Sequence, residues 1–344
     1  MEREKRKAGL WIGILILAVS FAVGGIFPCA SAQVVNIRIG HTAVVGHPYD
    51  LGAKKFKELM EARLPGKVKV EIFPAAVLGG ERDMVEGTKL GTVEMSIAAA
   101  DVVSAMVDVK ELFILLMPFM FSSYDQFGKV MEGPVGDEFN ELLRKKGIRN
   151  VGWMTAGFHH LINRVRPIYT PEDLKGIKMR MWESKGAILG LKAMGATAVP
   201  MAFPEVYTGL QQGVIEGLSN SFTTFYLQKF YEVAQYISIT YHFIITMSFE
   251  MGEDFFQKLP PDVKKAVLEC GKEASRYQRG LYVDADKRDF EMLKKSQKVK
   301  FNDAKRDLFI KQVAPFRKDF ADLIGGPGAK EYVEKVFKEV NKYK

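Results

Sequence analysis

Short strand-like runs alternate with amphipathic helical stretches from residue 35 onward, and this alternation limits the fold more than any other feature of the chain. The run VNIRIG is followed by a helical stretch over 48–64, and this in turn by a second strand-like run, VKVEIF, over 68–73. Chains with this order build α/β layers on a largely parallel sheet. We therefore predict an α/β fold.

The remaining elements follow the same order. We predict helices over 81–90, 124–146, 184–194 and 204–212, strands over 93–98, 148–154, 161–165, 177–182 and 237–251, and a short strand that ends at Gly217. From Pro261 to Gln297 the pattern stays helical, with only two glycines as weak breakers. A continuous helix of this length would measure about 55 Å at about 1.5 Å per residue. Because that exceeds the size of one small lobe, we expect this helix to brace two.

The first 32 residues have the composition of a secretory signal sequence. MEREKRK is basic, residues 10–27 are apolar, and the stretch Ala30-Ser31-Ala32 fits a small-residue cleavage site. We predict cleavage after Ala32, with an uncleaved membrane anchor or a lipid-modified Cys29 as the alternatives. Cleavage leaves Cys270 as the only cysteine, so no intramolecular disulfide can form. The remaining length exceeds that at which single cores usually split, so two domains are expected.

The charge pattern and the motifs exclude several classes of protein. The net charge is +8, but lysines and arginines are interspersed with acidic residues, as on a solvated surface, so we expect no nucleic-acid partner. Phosphate-binding, dinucleotide-binding, serine-hydrolase and zinc-protease motifs are absent from the sequence. His159 and His160 are adjacent and point to opposite faces of a strand, so they cannot both bind one metal. We therefore expect no cofactor, no metal and no catalytic set.

Several stretches together resemble a known family. The most specific are TPEDLKGIKMR and MAFPEVYTGLQQGVIEGLSN, and they are accompanied by IGHTAVVGHPY, FPAAVLGGERDMVEGTKLGTVEMS, MPFMF and LPPDVKKAVLECGKEAS. In these the chain is similar to the extracytoplasmic solute receptors of tripartite ATP-independent periplasmic (TRAP) transporters, the DctP family. The resemblance implies a periplasmic protein with a two-lobed clamshell fold, strand exchange between the lobes and a long bracing helix. Lobe I would comprise 33–156 with about 243–285, and lobe II 157–242 with about 286–344.

The resemblance also implies a function. Such receptors close over an organic acid and deliver it to a permease with a small and a large membrane subunit. We expect no enzymatic activity and a monomer, with a dimer as the alternative. Two other roles stay open: an exported enzyme that acts on an organic acid with His159 as its acid-base group, and a receptor that presents its ligand to a sensor or to another type of permease.

The implied carboxylate site lies in the second lobe. Arg180 ends the K-G-I-K-M-R motif, whose arginine pairs with the ligand carboxylate in the family, and a guanidinium fork suits a carboxylate. Asn220 matches an asparagine that contacts the same carboxylate, and Phe203 matches an aromatic residue of the pocket. From the residues alone, Arg180 fits a half-exposed strand better than a ligand site, while Asn220 also fits a turn and Phe203 a core.

The other implied contacts vary more within the family. On the first lobe, the positions that match ligand contacts are His41, Glu81, Ala99 and Asp101. Trp153 and Phe158 flank the expected hinge, where they could stack on a ligand or pack inside the protein.

One position departs from the family pattern. Many members carry a second arginine where this chain has His159, which is a neutral or switchable group. We therefore expect a monocarboxylate, aromatic or branched, packed against Phe158, Phe203 and Trp153, rather than a dicarboxylate or a sialic-acid-like ligand. Arg164 and Arg166 could replace the missing charge, but alternation predicts that both are exposed.

Overall fold

The computed structural model describes residues 34–344, so the predicted signal sequence and its cleavage site lie outside the described residues. The strands are β1 Val35–His41, β2 Val68–Phe73, β3 Met95–Ala99, β4 Ile148–Asn163, β5 Lys178–Met181, β6 Thr197–Pro200, β7 Gly217–Asn220, β8 Tyr236–Gly252 and β9 Lys300–Asp303. The α-helices are α1 Pro48–Arg63, α2 Glu81–Leu90, α3 Ala100–Val107, α4 Tyr124–Met131, α5 Pro134–Lys145, α6 Lys185–Ala193, α7 Val206–Gln212, α8 Phe222–Leu227, α9 Glu253–Lys258, α10 Pro261–Lys295, α11 Arg306–Val313, α12 Arg317–Ile324 and α13 Ala329–Asn341. Short 3-10 helices lie at Lys110–Leu116, Pro171–Leu174, Phe203–Glu205, Phe230–Glu232 and Ala314–Phe316.

A mixed sheet runs through the described chain in the order β2-β1-β3-β8-β4-β7-β5-β6, with β9 beside β8. At one end β1 pairs in parallel with β2 and β3, and at the other β5 pairs in parallel with β6 and β7. The long strands β4 and β8 are antiparallel to each other and join the two ends. The fold is therefore the predicted two-lobed α/β type, with parallel strands in each lobe and long antiparallel strands shared between them.

The predicted strands over 148–154 and 161–165 are one strand, β4, and the prediction of two separate strands was wrong. The pairing of β4 with β8 changes register between Thr155 and Phe158, so the strand continues through an irregular step. Gly157 lies at this step with a φ of 80°, a left-handed conformation that favours glycine. A Cβ at this position would lie 2.7 Å from the ring of Tyr282 on α10, so the close approach of the long helix also requires glycine.

Three other predicted boundaries were wrong for local reasons. The predicted helix over 124–146 is two helices, α4 and α5, because Pro134 opens a new helix and cannot continue the previous one. The stretch 204–212 begins as the 3-10 turn Phe203–Glu205 before α7 starts. The strand predicted to end at Gly217 begins there, as β7.

The long helix α10 is continuous, as predicted, and at 35 residues it ends two residues before the predicted end at Gln297. At about 1.5 Å per residue it measures about 52 Å. It packs against β4, against α1 near the start of the described chain and against α8 in the second half, so it contacts elements of both lobes. Cys270 is a buried free thiol on its inner face. Within residues 34–344, no helix combines the length and the apolar character needed to cross a membrane.

Candidate ligand-binding site

A cavity of about 200 Å³ lies at the carboxyl ends of the parallel strands from both ends of the sheet. In α/β folds this is the edge where ligands bind, because the strands end there and loops and helix starts surround the space. The residues that line it are Thr42, Ala43, His47, Tyr49, Gly80, Glu81, Arg82, Asp83, Ala99, Val102, Ala156, His159, Arg180, Trp182, Glu183, Ala202, Phe203, Asn220, Thr224, Gln228, Ile245 and Met247. Polar and charged side chains form a large part of this wall.

Arg180 lies near the carboxyl end of β5 and is only 2% exposed. Its Nε donates to the carbonyl oxygen of Met201 at 2.9 Å, and its guanidinium carbon lies 5.6 Å from the centre of the Phe203 ring. Neither Nη atom donates to any group within residues 34–344. Burial lowers the pKa of Arg180 to about 10, and the Glu81 carboxylate opposes this effect. The hydrogen bond at Nε therefore fixes the guanidinium group, and its two Nη atoms remain free to donate to a ligand.

Asn220 is the last residue of β7 and lines the same cavity. Its Oδ1 accepts a hydrogen bond from the backbone N–H of Ser221 at 2.9 Å, which fixes the orientation of the amide. Its Nδ2 donates to no other group in the described part of the chain. Asn220 therefore carries a second unbonded donor group in the wall of the cavity that Arg180 also lines.

His159 lies in β4 and is 1% exposed. Its Nδ1 is 3.0 Å from the Ser219 hydroxyl, and its Nε2 has no hydrogen-bond partner among the described residues. Burial lowers the pKa of His159 well below its usual value, with His242, His160 and Arg180 adding to this effect. Of the two states that the sequence left open, the structure therefore favours the neutral imidazole over the switchable one.

Glu81 is the first residue of α2 and is half-buried. Its Oε2 accepts a hydrogen bond from the backbone N–H of Ala99 at 3.1 Å. The pKa of Glu81 is raised to about 7, mainly by burial and also by Asp101, against the opposing effects of the Ala99 amide and Arg180. This carboxyl group therefore titrates near neutral pH at the wall of the cavity.

Six of the ten predicted site residues line the cavity: Arg180, Asn220, His159, Phe203, Glu81 and Ala99. The other four do not line it. Asp101 lies behind the wall, where it accepts a hydrogen bond from Trp182 Nε1 at 2.7 Å. His41 is fully buried, with its Nε2 3.8 Å from Asp50 Oδ1. Both side chains can support the wall of the cavity without contacting its contents.

The two aromatic residues near the expected hinge also point elsewhere. Phe158 packs edge-to-face against Tyr124 and Tyr241. Trp153 lines a separate cavity of about 280 Å³ between α5, β4 and α10. The expected apolar packing of a ligand against both aromatic residues therefore has no basis in this geometry.

Arg164 and Arg166 are exposed, as alternation predicted. Arg164 donates to the Leu210 carbonyl oxygen, and Arg166 donates to the carbonyl oxygens of Asp173 and Lys175. Neither lines the cavity, so neither replaces the arginine that the sequence lacks at position 159.

Sequence reasoning missed several polar residues of the wall. The sequence could have indicated Trp182, because it lies two residues after Arg180 and therefore on the same face of the strand predicted over 177–182. No sequence pattern indicated His47, Thr224 or Gln228, because they come from loops and helices that only the tertiary fold brings together.

Comparisons with known proteins agree on one family. The sequence model of bacterial extracellular solute-binding proteins, family 7 (DctP), matches residues 39–322. The 2,3-diketo-L-gulonate-binding periplasmic protein YiaO of Escherichia coli K12 is 29% identical over 299 residues, which cover 83% of this chain and 90% of YiaO.

Two solved structures have the same fold. A TRAP periplasmic solute-binding protein from Polaromonas sp. JS666, bound to D-erythronate, superimposes with a TM-score of 0.83 at 30% identity and covers 88% of this chain and 98% of its own. The sugar acid binding protein DctPAm from Advenella mimigardefordensis, in complex with galactonate, superimposes with a TM-score of 0.85 at 25% identity. The match covers 90% of this chain and 99% of that protein's chain.

Proposed function

This chain belongs to family 7 of the bacterial extracellular solute-binding proteins, DctP, and we propose that it binds a hydroxylated monocarboxylic acid of the sugar-acid type. Its role is that of an extracytoplasmic solute receptor for an organic acid in a TRAP transport system. The proposal includes export with cleavage after Ala32, capture of the acid between lobe I (33–156 with about 243–285) and lobe II (157–242 with about 286–344), and delivery to the membrane subunits of a permease. It assigns the cavity a binding role and no catalytic one.

The observation that carries the proposal is the state of Arg180. A buried guanidinium with both Nη atoms unbonded is costly unless an anion completes it, because buried charges need partners. A carboxylate matches the fork with two parallel charge-assisted hydrogen bonds. The Asn220 amide supplies a neutral donor beside it.

The rest of the wall supports a hydroxylated ligand rather than the aromatic or branched acid that the sequence suggested. Of the three aromatic residues expected to pack on the ligand, only Phe203 lines the cavity. Polar side chains occupy much of the remaining wall, among them Glu81, Thr224 and Gln228. Such groups are left without partners by an apolar ligand and are satisfied by hydroxyl groups. D-erythronate and galactonate, bound by two similar structures, are acids of this kind.

Capture follows from the position of the cavity. Its wall combines Glu81 and Ala99 of the proposed lobe I with Arg180, Phe203 and Asn220 of the proposed lobe II. A ligand that contacts both sets stabilises the closed arrangement, since it binds that state better than the open one. The closed, loaded receptor is then the form presented to the permease.

Asn220→Ala is expected to weaken binding about fivefold. The substitution removes one neutral donor to the ligand, and such a hydrogen bond contributes about 1 kcal/mol. Asn220→Asp is expected to bind more weakly than the alanine variant, because it places a negative charge beside the ligand carboxylate. Titration calorimetry of both variants measures these effects, and equal affinity of Asn220→Asp and the unmodified protein would argue against a carboxylate at this position.

A thermal-shift panel tests the proposal as a whole. The protein lacking residues 1–32 is mixed with D-erythronate, galactonate, 2,3-diketo-L-gulonate, a C4-dicarboxylate, an aromatic keto acid and a neutral sugar. A ligand at a hundred times its dissociation constant stabilises the folded state by about 2.7 kcal/mol, which is a readily measured shift. We expect shifts from hydroxylated monocarboxylates. A response to the neutral sugar alone, or to the aromatic acid alone, would contradict the proposed ligand class.

A further inference from the structure

A buried chain of four side chains leads from the cavity into the sheet. His159 Nδ1 lies 3.0 Å from Ser219 Oγ, Ser219 Oγ lies 2.8 Å from His242 Nε2, and His242 Nδ1 lies 2.7 Å from Thr240 Oγ1. The four residues are at most 1% exposed. They come from β4, β7 and β8, which are joined by the β4–β7 and β4–β8 pairings. Of the four residues only His159 lines the cavity, and its Nε2 is buried without a hydrogen-bond partner among the described residues.

Each contact in this chain requires one donor and one acceptor, so the protons can be assigned. If Thr240 donates to His242 Nδ1, then His242 carries its proton on Nε2 and donates to Ser219. Ser219 then donates to His159 Nδ1, and His159 carries its proton on Nε2. In this direction all three contacts are satisfied, and the one donor left over is Nε2–H of His159, the residue of the four that lines the cavity.

The opposite direction leaves a buried donor without an acceptor. If His242 donates from Nδ1 to Thr240, the Thr240 hydroxyl hydrogen needs another acceptor, and none lies within reach in the described part of the chain. His160 Nδ1 does not help, because it already faces the backbone N–H groups of Thr240 and Tyr241 at 3.2 and 3.4 Å. If both rings donate to Ser219, the Ser219 hydroxyl has no acceptor. Each alternative leaves two buried groups without partners, a hydroxyl hydrogen and the lone pair of His159 Nε2, whereas the assigned direction leaves only His159 Nε2–H. Both alternatives are therefore disfavoured.

Charged forms of the rings are also disfavoured. Burial lowers the pKa of His242 to about 3 and that of His159 well below its usual value. The other charged group that acts on His159 is the Arg180 guanidinium, which further opposes protonation. Both rings are therefore neutral near neutral pH, so each ring carries one proton.

We propose that Thr240, His242 and Ser219 act as positioning residues that hold His159 with a proton on Nε2, so that it presents a neutral N–H donor to the bound acid. This inference rests on the proposed function, since it deepens the role of the same cavity. The donor selects an oxygen with a free lone pair, whether of a carboxylate, a carbonyl or a hydroxyl group, and it rejects an ammonium group at that point.

Nitrogen NMR of the ligand-free protein tests the proton assignment directly. The chain has five histidines, so selective ¹⁵N-histidine labelling gives a small set of ring signals, which His159→Asn and His242→Asn assign. We expect both rings to carry the proton on Nε2 and to show no titration between about pH 5 and 8. A proton on Nδ1 of His159, or a charged ring, would overturn the proposal. Because no ligand is needed, this result is independent of whether the proposed ligand class is right.

Substitutions of Thr240, which lies at the end of the hydrogen-bonded series farthest from the cavity, test its role. Thr240→Val removes the proposed donor to His242 Nδ1, and that nitrogen signal is expected to move toward the value of a free imine nitrogen. Thr240→Ser keeps the hydroxyl and is expected to leave the signal in place. If valine and serine have the same effect, the hydroxyl does not donate to His242 and the assigned direction is wrong.

Two substitutions of His159 test its donor function with D-erythronate as the probe. Asparagine can accept from Ser219 at the position of Nδ1 but does not extend to the cavity, whereas glutamine places an amide N–H near the position of Nε2. We expect His159→Asn to lose at least fivefold in affinity and His159→Gln to retain most of it. Equal losses in the two variants would contradict a donor at Nε2. If D-erythronate does not bind the unmodified protein, the proposed ligand class fails, while the NMR results still decide the proton assignment.

Discussion

Arg180→Ala is expected to weaken binding of the acid ligand at least a hundredfold while leaving the fold intact. In the unmodified protein, the two free Nη atoms of Arg180 are the charged donors of the wall that are both buried and unbonded within residues 34–344. Removing them would leave the ligand carboxylate buried without a counter-charge, which costs a few kcal/mol. A hundredfold change corresponds to about 2.7 kcal/mol. Titration calorimetry measures the loss.

Two further variants separate the guanidinium fork from charge in general. Arg180→Lys keeps a positive charge but offers one point donor instead of a planar fork, so it is expected to bind more tightly than alanine and far more weakly than arginine. Arg164→Ala is the matched control, since Arg164 is exposed and donates to a backbone carbonyl outside the cavity. It is expected to bind normally. Affinity within about threefold of normal in Arg180→Ala would refute the site.

Local sequence signals predicted the elements whose boundaries depend on local chemistry. The strand over 68–73 and the helix over 81–90 have the predicted bounds, because alternation and a glycine at each end of the helix define them. The long helix α10 was also predictable, since only two glycines, which are weak breakers, interrupt its pattern over 35 residues. By contrast, the continuity of β4 past Gly157 depends on its pairing with β8, about 90 residues away, which no local pattern shows.

The site residues that belong to one specific motif could be predicted from the sequence. Those that come together only through strand pairing in the sheet could not. Arg180 and Asn220 each stand in a specific stretch, and the structure brings both to the cavity. Trp153 and Phe158 lie five positions apart in a strand that is buried on both faces, so the sequence pattern could not show which surface each side chain contacts. The hydrogen-bonded chain behind His159 joins positions 60 and 23 residues apart, and only the strand register reveals it.

The second large expected effect is a change in ligand affinity with pH, and Glu81 is its expected source. Because its pKa is raised to about 7 in the folded protein, Glu81 is mostly protonated at pH 6 and mostly ionised at pH 8. The protonated state stabilises the ligand-free fold at low pH, and this contribution is lost as the pH rises through about 7. Arg180 lowers the pKa of Glu81, so an acid that neutralises Arg180 raises this pKa further. Binding therefore takes up a proton near neutral pH.

The affinity for the acid is consequently expected to fall up to about tenfold between pH 6 and pH 8, in proportion to the protonated fraction of Glu81. Glu81→Gln, which is neutral at both pH values, should abolish most of this dependence. Histidines of the wall do not produce it, because burial keeps both His47 and His159 uncharged across the range. Calorimetry in buffers of different ionisation enthalpy measures the proton uptake. A pH-independent affinity in the unmodified protein, or an unchanged pH profile in Glu81→Gln, would show that this carboxyl group lies too far from the bound acid to sense its charge.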